Sequence, residues 1–185
     1  MKARFKTIIL SALGAVIAFS AVTYTSCNSD KCQSIVCAYG GVCKDGVCIC
    51  PTGYEGVQCE TVTRDKFIGT WNVSESGTLT SGNAYTVSIE PYYDSAITSI
   101  IIKNFYNRSH LNVGANYNVV AYVKADTIYI NQQVVDGDTI IGNGYLQPDA
   151  HYAEHGKLTM YYVVKNGQSD YFGFDSTGSP SVWEK

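Results

Sequence analysis

Two groups of side chains have the types and spacing for chemistry. The first is His151-Tyr152-Ala153-Glu154-His155. On a helix, two histidines four apart share one face and can bind zinc, with the intervening glutamate beside a metal-bound water. That chemistry also needs a third ligand and a helix of several turns. Here Pro148-Asp149 precedes, Gly156 follows, and strand-like patterns flank the segment on both sides. The segment therefore reads as a polar loop, and a zinc-dependent hydrolase through His151, Glu154 and His155 is the last-ranked reading. His110, near Arg108 and Asn112, reads as an exposed loop residue. Asp136 and Asp138 fall in a turn, where aspartate suits the backbone. No serine sits in a Gly-x-Ser-x-Gly elbow. The expectation is a protein with no catalytic residues, no cofactor and no metal.

The second group is the cysteines. Six of the seven lie between Cys32 and Cys59, spaced C-x4-C-x5-C-x4-C-x-C-x8-C. Such a segment has too little apolar mass for its own core and needs covalent staples. Three disulfides would each contribute about 2–3 kcal/mol in the chain-entropy view. Cysteine count alone leaves the pairing open. A zinc knot is disfavoured, because paired C-x2-C units are missing.

The run Cys48-Ile49-Cys50-Pro51-Thr52-Gly53-Tyr54-Glu55-Gly56-Val57-Gln58-Cys59 resembles the second half of an EGF-like module. The resemblance implies first-to-third, second-to-fourth and fifth-to-sixth pairing: Cys32–Cys43, Cys37–Cys48 and Cys50–Cys59. Locally, Val42 to Cys48 reads as a minimal hairpin with Asp45-Gly46 as a type I′ turn. The acidic entry of calcium-binding members is missing. Asp30 and Asp45 supply too few oxygen ligands, so no calcium is expected.

Upstream, Lys2, Arg4 and Lys6 precede the uncharged run Thr7 to Val22, the pattern of a secretory signal over residues 1–26. Cys27 is then the odd cysteine. With Ser26 before it and a Thr/Ser-rich approach, the site resembles the lipobox of Bacteroidetes-type bacterial lipoproteins, although Tyr24 stands where leucine is usual. The resemblance implies acylation of Cys27, with several acyl chains giving effectively permanent anchoring at about 0.8 kcal/mol per buried methylene. The alternative is ordinary cleavage with a free or intermolecular Cys27. Losing the three basic residues makes the mature chain three charges more negative than the whole chain's −3. No basic cluster remains, which argues against nucleic acid.

Residues 27–31 are then a lipidated tether, 32–60 the EGF-like domain, and 61–66 a short polar junction too short to be flexible. Residues 67–185 alternate apolar and polar with period two over eight or nine strands, and they lack any sustained helical period. Short links such as Lys124-Ala125-Asp126 and Val135-Asp136-Gly137-Asp138 imply an antiparallel meander. Ile128, Ile130 and Val134 are expected on one face, and Gly142-Asn143-Gly144 at a bulge. Closing the meander removes its free edges. The expected fold is all-β: a disulfide-rich module plus an up-and-down barrel, with a β-sandwich as the alternative. Phe67-Ile68-Gly69-Thr70-Trp71 resembles the Gly-x-Trp start of lipocalin-like (calycin) barrels, which implies that Trp71 plugs one barrel end. The module-then-barrel order, with Asn104 to Asn107 and Gly142 to Leu146, resembles small Bacteroidetes lipoproteins of no assigned activity.

The chain has fifteen tyrosines. Tyr122, Tyr129 and Tyr161 are expected outward, either as a surface for a glycan or protein partner or simply as cross-strand pairs. Asp94-Ser95-Ala96, Asp126-Thr127-Ile128 and Asp138-Thr139-Ile140 resemble the O-glycosylation acceptors of Bacteroidetes, and are equally ordinary turn chemistry. The leading expectation is a lipoprotein of the cell outer membrane, facing the periplasm or the surface. In it an EGF-like spacer carries a non-catalytic binding or adhesion barrel. The alternative is a lipocalin-type carrier of a small apolar ligand.

Overall fold

The computed structural model describes residues 31–93, 96–111, 117–148 and 156–185. The N-terminal module is built on one hairpin, β1 (Val42–Lys44) and β2 (Val47–Ile49). Asp45 and Gly46 both take positive φ, 51° and 88°, as a type I′ turn requires. Disulfides join Cys32 to Cys43, Cys37 to Cys48 and Cys50 to Cys59.

The residues expected to be a plain junction are built into both neighbours. β3 (Tyr54–Glu55) pairs with β4 (Thr61–Val62), so the chain after Cys59 returns to the module. A 3-10 helix, η1 (Thr63–Phe67), follows and buries Thr63, Arg64 and Phe67. Arg64 donates to the Ser99 carbonyl at 3.2 Å, and the Thr63 amide donates to the Gly53 carbonyl at 2.9 Å. Lys66 bonds Glu55 of the module at 2.9 Å and Asp126 of the barrel at 2.7 Å. Composition alone marks these residues as polar; their pairing depends on partners far along the chain.

The second unit is a closed antiparallel barrel of eight strands. A meander runs through β5 (Gly69–Glu75), β6 (Asn83–Pro91), β7 (Ser99–Lys103), β8 (Asn118–Lys124), β9 (Thr127–Val135), β10 (Asp138–Pro148) and β11 (Gly156–Asn166). β13 (Ser181–Glu184) closes it between β11 and β5. β12 (Gln168–Phe172) pairs with Val163–Asn166 of β11, and β13 with Lys157–Met160 of the same edge. The last wall strand is thus one strand interrupted by the excursion through η3 (Phe174–Ser176). Closure leaves no sandwich.

Inward positions alternate strictly along most strands: Trp71 and Val73; Val87 and Ile89; Val119, Ala121 and Val123; Leu158, Met160, Tyr162 and Val164 are all buried. Trp71 sits fully buried near the end that carries η1, and its Nε1 donates to the Phe67 carbonyl at 2.8 Å. Lys185 lies 5.6 Å from the Trp71 ring centroid. At the opposite end η2 (Phe105–Leu111) links β7 to β8. Asn104, Tyr106 and Asn107 all take left-handed φ there, and this turn drops Phe105 into the barrel.

Two expectations on β9 and β10 are corrected. The irregularity is not centred on Gly142-Asn143-Gly144. Ile140 pairs with Gln133 and Gly142 with Ile130, so β9 carries the extra residue, between Gln133 and Ile130. A bulge reverses the facing of everything beyond it. Val134 is therefore 70% exposed, while Val135 packs against the core. The two glycines serve packing instead. A Cβ on Gly142 would lie 2.5 Å from the Tyr162 Cβ, and one on Gly144 would lie 2.0 Å from the Met160 sulfur.

Candidate binding surface

The barrel interior near η2 holds a packed group of buried aromatic rings. Phe105 lies 4.7 Å from Tyr162 and 6.1 Å from Trp183, and Tyr162 stacks on Phe172 at 4.5 Å. Around this aromatic stack sit three buried carboxylates, each surrounded by donors. Glu75 accepts from Tyr162 at 2.6 Å, Ser181 at 2.7 Å and Tyr85 at 2.8 Å. Burial holds its pKa above the usual carboxylate range, against those three hydrogen bonds. The hydroxyls of Tyr85 and Tyr162 are pushed far up, first by burial and then by charge at neighbouring groups including Glu75. Asp170 accepts from the Leu79 amide at 2.8 Å, the Thr80 hydroxyl at 2.6 Å and Tyr106 at 2.9 Å. Burial works to raise Asp170, but these bonds together outweigh it and hold its pKa low.

Asp138 is expected from sequence in a turn with Asp136, where aspartate suits the backbone. It is 1% exposed and pairs with Arg108 at 2.9 Å and Tyr117 at 2.7 Å, with Asn166 also bonded to it. Burial, then Asp138, pushes the Tyr117 hydroxyl up. Each carboxylate takes at least three hydrogen bonds from donors on other strands and loops, so these three clusters tie strands and loops together.

The outer wall is different. Tyr122 on β8 faces Tyr129 on β9, with rings stacked at 5.0 Å and 14°. Tyr129 pairs with Asn143 on β10, and Asn143 pairs with Tyr161 on β11. Tyr145 joins this row: its ring meets Tyr161 edge-on at 6.1 Å, and its hydroxyl accepts from Asn143 at 3.1 Å. The result is a belt of four tyrosines and one asparagine across four consecutive strands. Tyr145 is 50% exposed and Tyr122 37%. The expected outward trio is thus brought together, and cross-strand pairing is part of how. Tyr145 and Asn143 were missed. The signal for Tyr145 was its place two residues after Asn143 in a strand of period two.

The belt ends at a breach in the wall. β8 and β9 pair only over Tyr122–Lys124 and Thr127–Tyr129. Beyond that the Gln133 side chain replaces the ladder, accepting from the Val120 amide at 3.0 Å and donating to its carbonyl at 2.7 Å. A surface depression of about 310 Å³ opens there, lined by Ser99, Val120, Ala121, Tyr122, Asn131 and Gln133. Flat rings beside amide and hydroxyl groups form a surface that combines apolar contact with hydrogen bonding.

Cys27, His151, Glu154, His155, Asp94 and Ser95 lie outside the described residues, as does the side chain of His110. Among the described residues no group of three His, Cys, Asp or Glu could hold a metal ion.

Part of the chain is similar to tissue-type plasminogen activator. It is 33% identical to the mouse protein over 98 residues, which covers 40% of this chain and 18% of that protein. It is 33% identical to the human protein over 105 residues, covering 43% of this chain and 19% of that protein. The chain spans less than a fifth of the length of these relatives. The N-terminal module carries three disulfides. No protein-family model matches, and no solved structure does.

Proposed function

We propose that this protein is exported, cleaved before Cys27, acylated there, and held at the cell outer membrane. There it acts as a non-catalytic binding module, with the tyrosine belt as its contact surface. The observation that carries this reading is the belt: Tyr122, Tyr129, Asn143, Tyr145 and Tyr161 lie side by side outside, beside a depression of mixed polar and apolar lining. The packed rings of Phe105, Tyr162, Phe172 and Trp183 take up space inside the barrel, which favours this reading over a carrier of apolar ligands. Tyrosine beside asparagine and glutamine suits a glycan or a polar protein epitope, because aromatic area and amide groups are offered together.

The test is binding of the mature chain to an array of envelope and host glycans and to immobilised envelope proteins. Wild type is expected to bind at least one class, and Tyr122→Ser with Tyr161→Ser to lose it while the barrel stays folded at the assay temperature, with only a small fall in melting temperature from the lost cross-strand pairs. Binding that survives the double substitution would sink the belt as the contact surface. Mass spectrometry of membrane-extracted protein tests the anchor: an N-terminal acylated Cys27 is expected, and a free thiol there would overturn it.

A further inference from the structure

The EGF-like module carries an apolar face of its own. Val36, Val42, Val47, Ile49 and Val57 are exposed by 79%, 65%, 66%, 56% and 84%. In the barrel, four times larger, only Leu79 and Val134 among the described aliphatic residues pass half exposure. Three of the module's five share one surface. Cys43 and Cys48 turn inward from the hairpin, so the opposite face presents the cross-strand pair Val42 and Ile49 next to the pair Lys44 and Val47. Large exposed apolar patches on small modules mark contact sites.

Position within the chain says what covers it. The module meets the barrel through its other half: Gly53 lies against Ile97, and Glu55 binds Lys66. The hairpin points elsewhere. Lys31, the first described residue, packs over the hairpin turn, where a Cβ on Gly46 would lie 3.3 Å from the Lys31 Cβ. Cys27 is four residues before Lys31. Four extended residues reach about 14 Å. Acyl chains on Cys27 would therefore hold Lys31 within that distance of the lipid surface and the hairpin turn just beyond it, with Lys31 and Lys44 beside the apolar residues.

We infer that the Val42, Val47 and Ile49 face of the module seats in the headgroup region of the bilayer, so that the module lies against the membrane and fixes the barrel's orientation above it. The two lysines would meet lipid phosphates, while the aliphatic side chains reach the acyl boundary. The inference rests on the reading of Cys27 as the membrane end of the chain.

The test separates the two. The mature chain is made with Cys27→Ser, so it carries no acyl group, and is sedimented with vesicles of phosphatidylcholine and phosphatidylethanolamine. It is expected to partition measurably onto vesicles. Val42→Ser, Val47→Ser and Ile49→Ser together should reduce the partition coefficient about tenfold or more, since each removes buried apolar area. Val134→Ser, on the barrel wall, should leave it unchanged. Intact disulfides, read by mass spectrometry, establish that the triple variant has kept its fold; the single Val47→Ser, next to the turn, should give a smaller loss in the same direction. No partition of the Cys27→Ser chain, or equal partition of the hairpin variants, overturns the seated face and leaves the anchor standing. A free Cys27 thiol in cells overturns the anchor; partition of the Cys27→Ser chain still supports the face.

Discussion

The side-chain amide of Gln133 stands in for a peptide group opposite Val120: it accepts the Val120 N–H at 3.0 Å and donates to the Val120 carbonyl at 2.7 Å. The barrel wall would otherwise leave those backbone groups without a strand partner between β8 and β9. A primary amide carries donor and acceptor on adjacent atoms, as a peptide group does.

Gln133→Leu keeps the size and removes both bonds. We expect a loss of about 1–3 kcal/mol, the cost of leaving backbone groups unpaired. Urea unfolding measures it, and amide exchange at Val120 should accelerate first. Gln133→Glu, which keeps only an acceptor when ionised, should be more damaging at neutral pH than in acid. An unchanged unfolding midpoint in the leucine variant would mean water satisfies the breach.

Glu75 and Asp170 should give opposite pH dependences. The folded pKa of Glu75 is raised, so its contribution is fully present below the unfolded value and is lost as pH rises through the folded one. The folded pKa of Asp170 is lowered, so its contribution is present above the unfolded value and is lost as pH falls through the folded one. Melting temperature measured against pH should therefore lose its fall on the alkaline side of the carboxylate range in Glu75→Gln. Asp170→Asn should lose the fall on the acid side and be less stable at pH 7. Parallel pH curves for wild type and Glu75→Gln would exclude the first assignment.

Gly142→Ala should destabilise by about 1–3 kcal/mol through overpacking, because its Cβ meets Tyr162 Cβ and the Tyr161 carbonyl oxygen at 2.5 and 2.6 Å. Gly137→Ala meets nothing within 4 Å, but its φ of +85° costs about 1 kcal/mol for a residue with a side chain. Denaturant titration of both variants should rank Gly142 as the more sensitive, and the reverse order would refute the packing account.

Replacing Cys50 and Cys59 by serine opens a loop whose ends are nine residues apart. We expect the module to lose about 2–3 kcal/mol while the barrel holds. Limited proteolysis should then cut within residues 32–60 and spare the barrel core. Equal resistance in the wild type and the variant would show that the loop needs no staple.

Much of the barrel is readable in the chain because its causes are local. Period-two alternation puts Leu158, Met160, Tyr162 and Val164 on one face, and Asp136-Gly137 supplies the positive φ that a tight hairpin needs. Closure, with Val182 and Trp183 completing the set, follows from a meander that must hide its edges. The outward placement of Tyr122, Tyr129 and Tyr161 follows from the same alternation.

Whatever depended on a partner distant in sequence was settled only in three dimensions. The extra residue in β9 shows no turn signal, yet it exchanges Val134 for Val135 at the core and sends Gln133 to Val120. Asp138 resembles any turn aspartate until Arg108, Tyr117 and Asn166 converge on it. Thr61 to Lys66 look like a linker until Glu55, Ser99 and Asp126 receive them. Alternation and turn chemistry act over two to four residues, so the chain itself fixes the walls. Register slips and buried charges are balanced across the whole barrel, so only the closed fold decides where they fall.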